Sequence, residues 1–177
     1  MSAALRAPAS RAGDLESRAH DEHHESLRLW LRLLACTTMI ERSIRTRLFR
    51  RFATTLPRFD LMAQLERSPD GLRMGELSRR MMVTGGNVTG ITDQLVAEGL
   101  VERRPIATDR RAQAVRLTAR GRRRFMAMAA EHERWIKEIT GGLPATERAR
   151  LFALLGRLKS AIRDDADRGA TLPGELR

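Results

Sequence analysis

The sequence predicts a mainly α-helical chain carrying one small β-hairpin, with long helices on either side of a centre built from short ones. Three observations predict it. Apolar residues recur at three- and four-residue steps over long stretches near both ends, the period of an amphipathic helix. Only residues 100–118 alternate apolar and polar with the period of two that marks strands. Pro57 and the turn "SPDG" at 68–71 cut the chain between these features into short helical pieces. The 177 residues suffice for one domain with a proper core, or for a small domain with an assembly element.

The first long helix is read from Leu27, Trp30, Leu31, Leu34, Ile40, Ile44, Leu48 and Phe52, with Arg42, Arg45, Arg47, Arg50 and Arg51 crowding its second half. A short helix follows from about Arg58 to Glu66, with Phe59, Met62 and Leu65 inward. Met74, Leu77 and Met81 mark a third helix, and residues 85–98 a fourth. The hairpin comes next, Val115 and Leu117 sharing one face, with Pro105 and Asp109 in its loop. After Gly121 a long helix runs to about Ile139, its stripe made by Phe125, Met128, Ala129, His132, Trp135, Ile136 and Ile139. "GGLP" at 141–144 breaks it, and a last helix carries Leu151, Leu154, Leu155, Leu158 and Ile162. The flanking helices are too elongated to bury their stripes on so small a centre. A second copy of the chain would cover them, so a symmetric homodimer is expected.

Lys+Arg 33 against Asp+Glu 22 gives a net charge of +11, nearly all of the positive charge arginine. Such a balance points to an anionic partner, nucleic acid before a membrane surface. No apolar stretch approaches the roughly 20 residues of a membrane helix. Residues 1–24 carry no apolar signal core and read as a disordered tail, so a cytoplasmic location is expected. The lone Cys36 excludes an internal disulfide and is expected to be a buried structural thiol. No metal site is expected: His20, His23 and His24 have metal-like spacing but no further ligand beside them. Nor is a cofactor or an enzyme expected. "TGGNVTG" lacks both the Lys-Ser/Thr of a phosphate-binding P-loop and the G-x-G-x-x-G spacing, and no Ser/His/Asp set shows a local motif.

Gly85, Gly86 and Gly90 are the unexpected residues, because glycine costs a helix about 1 kcal/mol relative to alanine. With Thr84 as N-cap, winding residues 85–98 at 3.6 per turn puts Val88, Ile91, Thr92 and Leu95 on a core face. Gly86, Thr89, Gly90 and Asp93 fall opposite. Two readings of so small a face are open: close packing against another helix at Gly86 and Gly90, or close approach of the helix N-terminus to a phosphate or a groove edge. On the second reading Thr84, Asn87 and Thr89 supply short hydrogen bonds. The hairpin favours that reading, since Arg103, Arg104, Arg110 and Arg111 place guanidinium groups on a projecting ribbon fit for a minor groove. Asp109 repels phosphate and is expected to orient a neighbouring arginine.

The stretches "LPRFDLMAQLERSPDGLRMGELSRRMMVTGGNVTG", "LVAEGLVERRPIATDRR" and "VRLTARGRRRF" resemble the winged helix-turn-helix of MarR-type transcriptional regulators. The Asp-Arg-Arg wing followed by Leu-Thr-x-x-Gly is a specific combination. The resemblance implies a homodimer on a pseudo-palindromic double-stranded DNA operator, the fourth helix in the major groove and the wing in the minor groove. It also implies boundaries: tail 1–24, N-terminal dimerisation helix 25–56, winged helix-turn-helix 57–124, C-terminal dimerisation helices 125–167 and tail 168–177. Gln94 stands where many relatives have arginine, which changes one phosphate contact.

The implied function is a ligand-responsive, sequence-specific transcriptional repressor. The run "RLWLRLLACTTMIERSIRTRLFRRFATTLPRFDL" resembles regulators of hydroxycinnamate catabolism, implying an aromatic acyl-CoA or aromatic acid as effector. Trp30 and Phe59 are the candidate lining for its ring, and Arg42, Arg45 and Arg47 for its phosphates. An architectural DNA-binding protein without effector and a winged-helix protein-interaction module are the alternatives.

Overall fold

In the computed structural model, residues 24–106 and 109–169 are described, with side chains for all of these except 106, 109–112, 167 and 169. The tails expected at 1–24 and 168–177 therefore fall almost wholly outside the described residues, as do His20, His23 and residues 107–108 of the expected hairpin loop. The chain divides into two units, Met1–Met128 and Ala129–Arg177.

The first unit opens with α1 (Glu25–Phe52), which ends where Ala53 turns left-handed at φ 48° and Arg124 donates to the Phe52 carbonyl at 2.6 Å. Only the last turns of α1 enter the core, through Ile44 and Leu48. Pro57 sits in the first turn of α2 (Leu56–Glu66), where its missing N–H costs no helical hydrogen bond. Phe59, Leu61, Met62 and Leu65 bury the inner face of α2, and the Phe59 ring lies 5.5 Å from that of Phe125. The remaining elements are β1 (Leu72–Arg73), α3 (Met74–Met81), α4 (Gly85–Ala97), β2 (Val101–Ile106), β3 (Asp109–Leu117) and α5 (Ala119–Thr140), which runs on into the second unit.

A three-stranded antiparallel sheet of order β1-β3-β2 replaces the two-stranded hairpin expected from the sequence. The added strand is short. Leu72 pairs with Val115 and Arg73 with Ala114. It follows a turn in which Gly71, at φ 94°, takes a conformation strained for any other residue. Two residues are too few to show alternation, which is why periodicity did not reveal them. In the hairpin, Val101 pairs with Leu117, Glu102 with Arg116 and Arg103 with Val115. Val101 and Val115 are buried, so this face of the sheet lies on the core.

The Leu-Thr-x-x-Gly run at the start of α5 has a physical explanation. Thr118 Oγ1 accepts from Gly121 N at 3.0 Å and donates to the Gly99 carbonyl at 2.8 Å, capping the helix while tying it to the turn before β2. Gly121 is buried within the first turn, so the helix begins at Ala119 rather than after the glycine.

The second unit comprises the rest of α5 and α6 (Ala145–Gly169). Along α6, Leu151, Leu154, Leu155, Leu158 and Ile162 are all exposed, as is Phe152 beside them. Likewise Leu27, Trp30 and Leu34 are exposed on α1 of the first unit. Cys36, expected in a core, is exposed as well, because it lies on the part of α1 that precedes the buried turns. Among the described residues, no helix is long and apolar enough to cross a membrane.

Candidate nucleic-acid interface

The candidate interface is built on α4. Thr84, extended at φ −65° and ψ 150°, occupies the N-cap position, but its side chain makes no capping hydrogen bond. The first backbone bond of the helix runs from Val88 N to the Thr84 carbonyl, leaving the N–H groups of the first turn without helical partners. These donors and the positive end of the helix dipole suit a negatively charged ligand.

The two faces fall as the 3.6-residue period requires. Val88, Ile91, Thr92 and Leu95 are buried, and the Thr92 hydroxyl is satisfied at 2.8 Å by the Val88 carbonyl. Opposite them Thr84, Gly86, Asn87, Thr89, Gly90, Asp93 and Gln94 are exposed. The Thr89 hydroxyl donates to the Gly85 carbonyl at 2.9 Å, which leaves its oxygen as an acceptor toward solvent. A Cβ added at Gly85, Gly86 or Gly90 would meet nothing within 4 Å. Among the described residues no internal packing demands these glycines, so the helix-packing reading fails there.

The turn into α4 carries a further irregularity. Met82, left-handed at φ 54° and 92% exposed, joins α3 to α4, with Ser78 Oγ donating to the Val83 carbonyl at 2.6 Å. Arg79, exposed in the last turn of α3, stands beside this turn and was not singled out from the sequence. The Arg79-Arg80 pair just before it was the available signal. Arg80 is bonded to Glu76 and Ser68.

The structure does not bring Arg103 and Arg104 together. Period two sends them to opposite faces of the sheet. Arg103 leaves the core face and its Nη2 lies 2.5 Å from Asp93 Oδ1 on α4. Arg104 and Arg116 share Glu102 on the other face at 3.1 and 2.7 Å, and their hydrogen bonds hold the Glu102 carboxyl below the usual carboxylate range. Asp109, Arg110 and Arg111 lie in β3 by their backbone, nearer the strand than the loop expected for them, and their side chains are outside the described residues.

Of the candidate effector residues, Trp30 is exposed on α1, whereas Phe59 is buried against Phe125 and presents no free ring face. Arg42 is exposed, and Arg45 is bonded to Glu41 at 3.1 Å. Arg47 is half-buried on the same helix. Concave surface occurs along α6 from Ala153 to Asp164, and along α1 at Glu25, Arg28, Leu29 and Arg32. Each of these hollows is lined by a single helix and lacks an opposing wall.

A short three-helix unit whose second and third helices are followed by an antiparallel hairpin is a winged helix-turn-helix, the class to which this fold and surface belong. Residues 54–112 match the model of the MarR family. The HTH-type transcriptional regulator YdgJ of Bacillus subtilis is 33% identical over 93 residues, 52% of this chain and 57% of YdgJ. This chain thus spans little more than half of that relative. The structure of a MarR family transcriptional regulator from Silicibacter pomeroyi superposes with a TM-score of 0.69 and 29% identity, over 80% of this chain and 98% of that one. A mutant MarR from Escherichia coli complexed with operator DNA gives 0.67 and 25%, over 78% and 98%. Over that segment the chain is similar to the MarR family, and the relatives it matches here are transcriptional regulators.

Proposed function

We propose that this protein is a sequence-specific, ligand-responsive transcriptional repressor that binds a pseudo-palindromic operator as a homodimer. The observation that carries the reading is the face of α4, exposed and unobstructed at Gly86 and Gly90. A helix with no bulky side chains on that face lies deep in a major groove, its N-terminal N–H groups on phosphate and Asn87, Thr89 and Gln94 at base edges. Arg110 and Arg111 on the hairpin enter the flanking minor groove. The E. coli relative complexed with operator DNA supports this mode of binding. The exposed stripes of α1 and α6 support a second copy as their cover, with the two copies presenting two recognition helices to the two operator half-sites.

The effector reading is an aromatic acyl-CoA or aromatic acid, with Trp30 as the exposed aromatic and Arg42, Arg45 and Arg47 as the cations on the same helix. A ligand that binds best to a wrongly spaced pair of recognition helices shifts the dimer to that state and releases DNA. Gel shifts of the protein on the DNA upstream of its own gene test both parts, with p-coumaroyl-CoA, p-coumarate and CoA added separately. Retardation relieved only by the intact thioester is the expected result. Equal relief by the free acid overturns the thioester. Binding that no ligand relieves, with little sequence preference, favours an architectural protein, and no retardation at low salt overturns DNA binding.

A further inference from the structure

Asp93 is the one charged residue of α4, and it stands on the exposed face with Gly86, Thr89 and Gly90. A carboxylate there opposes phosphate and is an odd residue to leave on a surface that meets DNA. Its partner explains it. Arg103 springs from the core face of the sheet, paired with the buried Val115 and two residues from the buried Val101, so the root of its side chain is fixed. Its guanidinium reaches across to α4, with Nη2 at 2.5 Å from Asp93 Oδ1, ten residues away in sequence. Helix and wing meet at the left-handed Gly99 (φ 66°), where Leu100 N donates to the Leu95 carbonyl at 2.9 Å. The ion pair is a further tie, placed farther out along both elements.

We propose that Asp93 and Arg103 act on DNA through each other rather than by touching it: the pair is a strut that sets the wing against the recognition helix, and it keeps the Arg103 charge from indiscriminate use on phosphate. Both are positioning residues on this account, and their effect is on discrimination. The inference rests on the DNA-binding reading above. A bidentate contact to a base needs its donor placed to within a fraction of an ångström, whereas phosphate attraction does not. Loosening the wing therefore costs operator binding more than non-specific binding.

The test is fluorescence anisotropy on operator and scrambled DNA across a salt series, for wild type, Asp93→Ala, Arg103→Ala and the neutral hydrogen-bonding pair Asp93→Asn with Arg103→Gln. Asp93→Ala frees the arginine. Binding to scrambled DNA should tighten, the slope of log K against log salt should steepen by about 0.9 per subunit, and the operator-to-scrambled ratio should fall on the order of tenfold. Arg103→Ala should lower the ratio without flattening the slope. The neutral pair lacks the long guanidinium arm, so its ratio should fall as in Arg103→Ala, with the slope unchanged. Arg103→Ala flattening the slope by about 0.9 per subunit would show a direct phosphate contact and overturn the proposal. So would Asp93→Ala leaving the ratio unchanged. Amide hydrogen exchange on the DNA-free protein separates this claim from the DNA-binding reading: exchange in β2 and β3 should quicken in Asp93→Ala. Unchanged exchange overturns the strut even if DNA binding is confirmed. Quickened exchange in a protein that binds no operator keeps the strut and refutes the function.

Discussion

Replacing Gly121, the one glycine of α5, by alanine should damage the fold. A Cβ at 121 would lie 1.8 Å from the Leu100 carbonyl oxygen, 2.8 Å from its carbon and 3.2 Å from its Cα. All three are backbone atoms, so no side-chain rotation relieves the overlap. The Leu100 peptide is also pinned: its N–H donates to Leu95, its oxygen accepts from Thr118 N at 3.1 Å, and its side chain is buried. To reach ordinary contact the start of α5 must move outward by more than an ångström. That movement breaks the Thr118 cap on Gly121 and Gly99. Overpacking of this kind costs about 1–3 kcal/mol, the strained hydrogen bonds about 1 kcal/mol more, and better helix propensity returns about 1 kcal/mol. The net loss is about 1–3 kcal/mol out of a typical 5–15 kcal/mol, read as a lower urea midpoint by far-UV circular dichroism. Gly75→Ala, where nothing lies within 4 Å, is the control and should match or exceed wild type. A Gly121→Ala midpoint equal to wild type would refute the close-approach argument.

Met82→Gly should raise the melting temperature, because it relieves a left-handed residue at φ 54° that buries almost nothing. The gain is up to about 1 kcal/mol, and a lower melting temperature would mean that the Met82 side chain is needed after all. Asp60→Asn should stabilise the fold at neutral pH. Desolvation first, and then Glu41, raise the Asp60 carboxyl from its ordinary 3.8, with Arg45 opposing. A raised acid binds its proton more tightly in the folded state, so the ionised side chain lowers stability above the folded value. The advantage of asparagine should therefore vanish as the pH falls below 3.8, and a constant advantage at every pH would contradict the cause given. Light scattering should give twice the 20.0 kDa chain mass at micromolar concentration, whereas a concentration-independent monomer would remove the basis of the palindromic operator.

The helical period carried most of what was legible. It placed Val88, Ile91, Thr92 and Leu95 inside and Gly86, Thr89, Gly90 and Asp93 outside, because a face repeated over three turns leaves little freedom. It failed where the signal was short or non-local. β1 has two residues and no pattern of its own. Gly121 read as a helix boundary, since the Leu100 carbonyl that excludes a side chain there is distant in sequence. Arg103 and Arg104 looked like one basic cluster, although strand alternation alone was enough to part them. Their carboxylate partners, Asp93 and Glu102, became visible only with coordinates. The stripes of α1 and α6 were read as apolar; that of α6 is exposed, as is the first part of that of α1 at Leu27, Trp30 and Leu34, while Ile44 and Leu48 are buried.

The central claim is that α4 spends helix stability at Gly90 for access to DNA, and Gly90→Leu measures this most directly. Thermal melts and operator anisotropy should be recorded on the same preparations of wild type, Gly90→Ala and Gly90→Leu. Nothing lies within 4 Å of a Cβ at position 90, so both variants should fold and melt no lower than wild type. Alanine is favoured over glycine there by about 1 kcal/mol. Operator binding should weaken with alanine and disappear with leucine, as the larger side chain holds the helix off the groove. Wild-type operator affinity in Gly90→Leu would contradict the account, and so would loss of binding that comes only with loss of the fold.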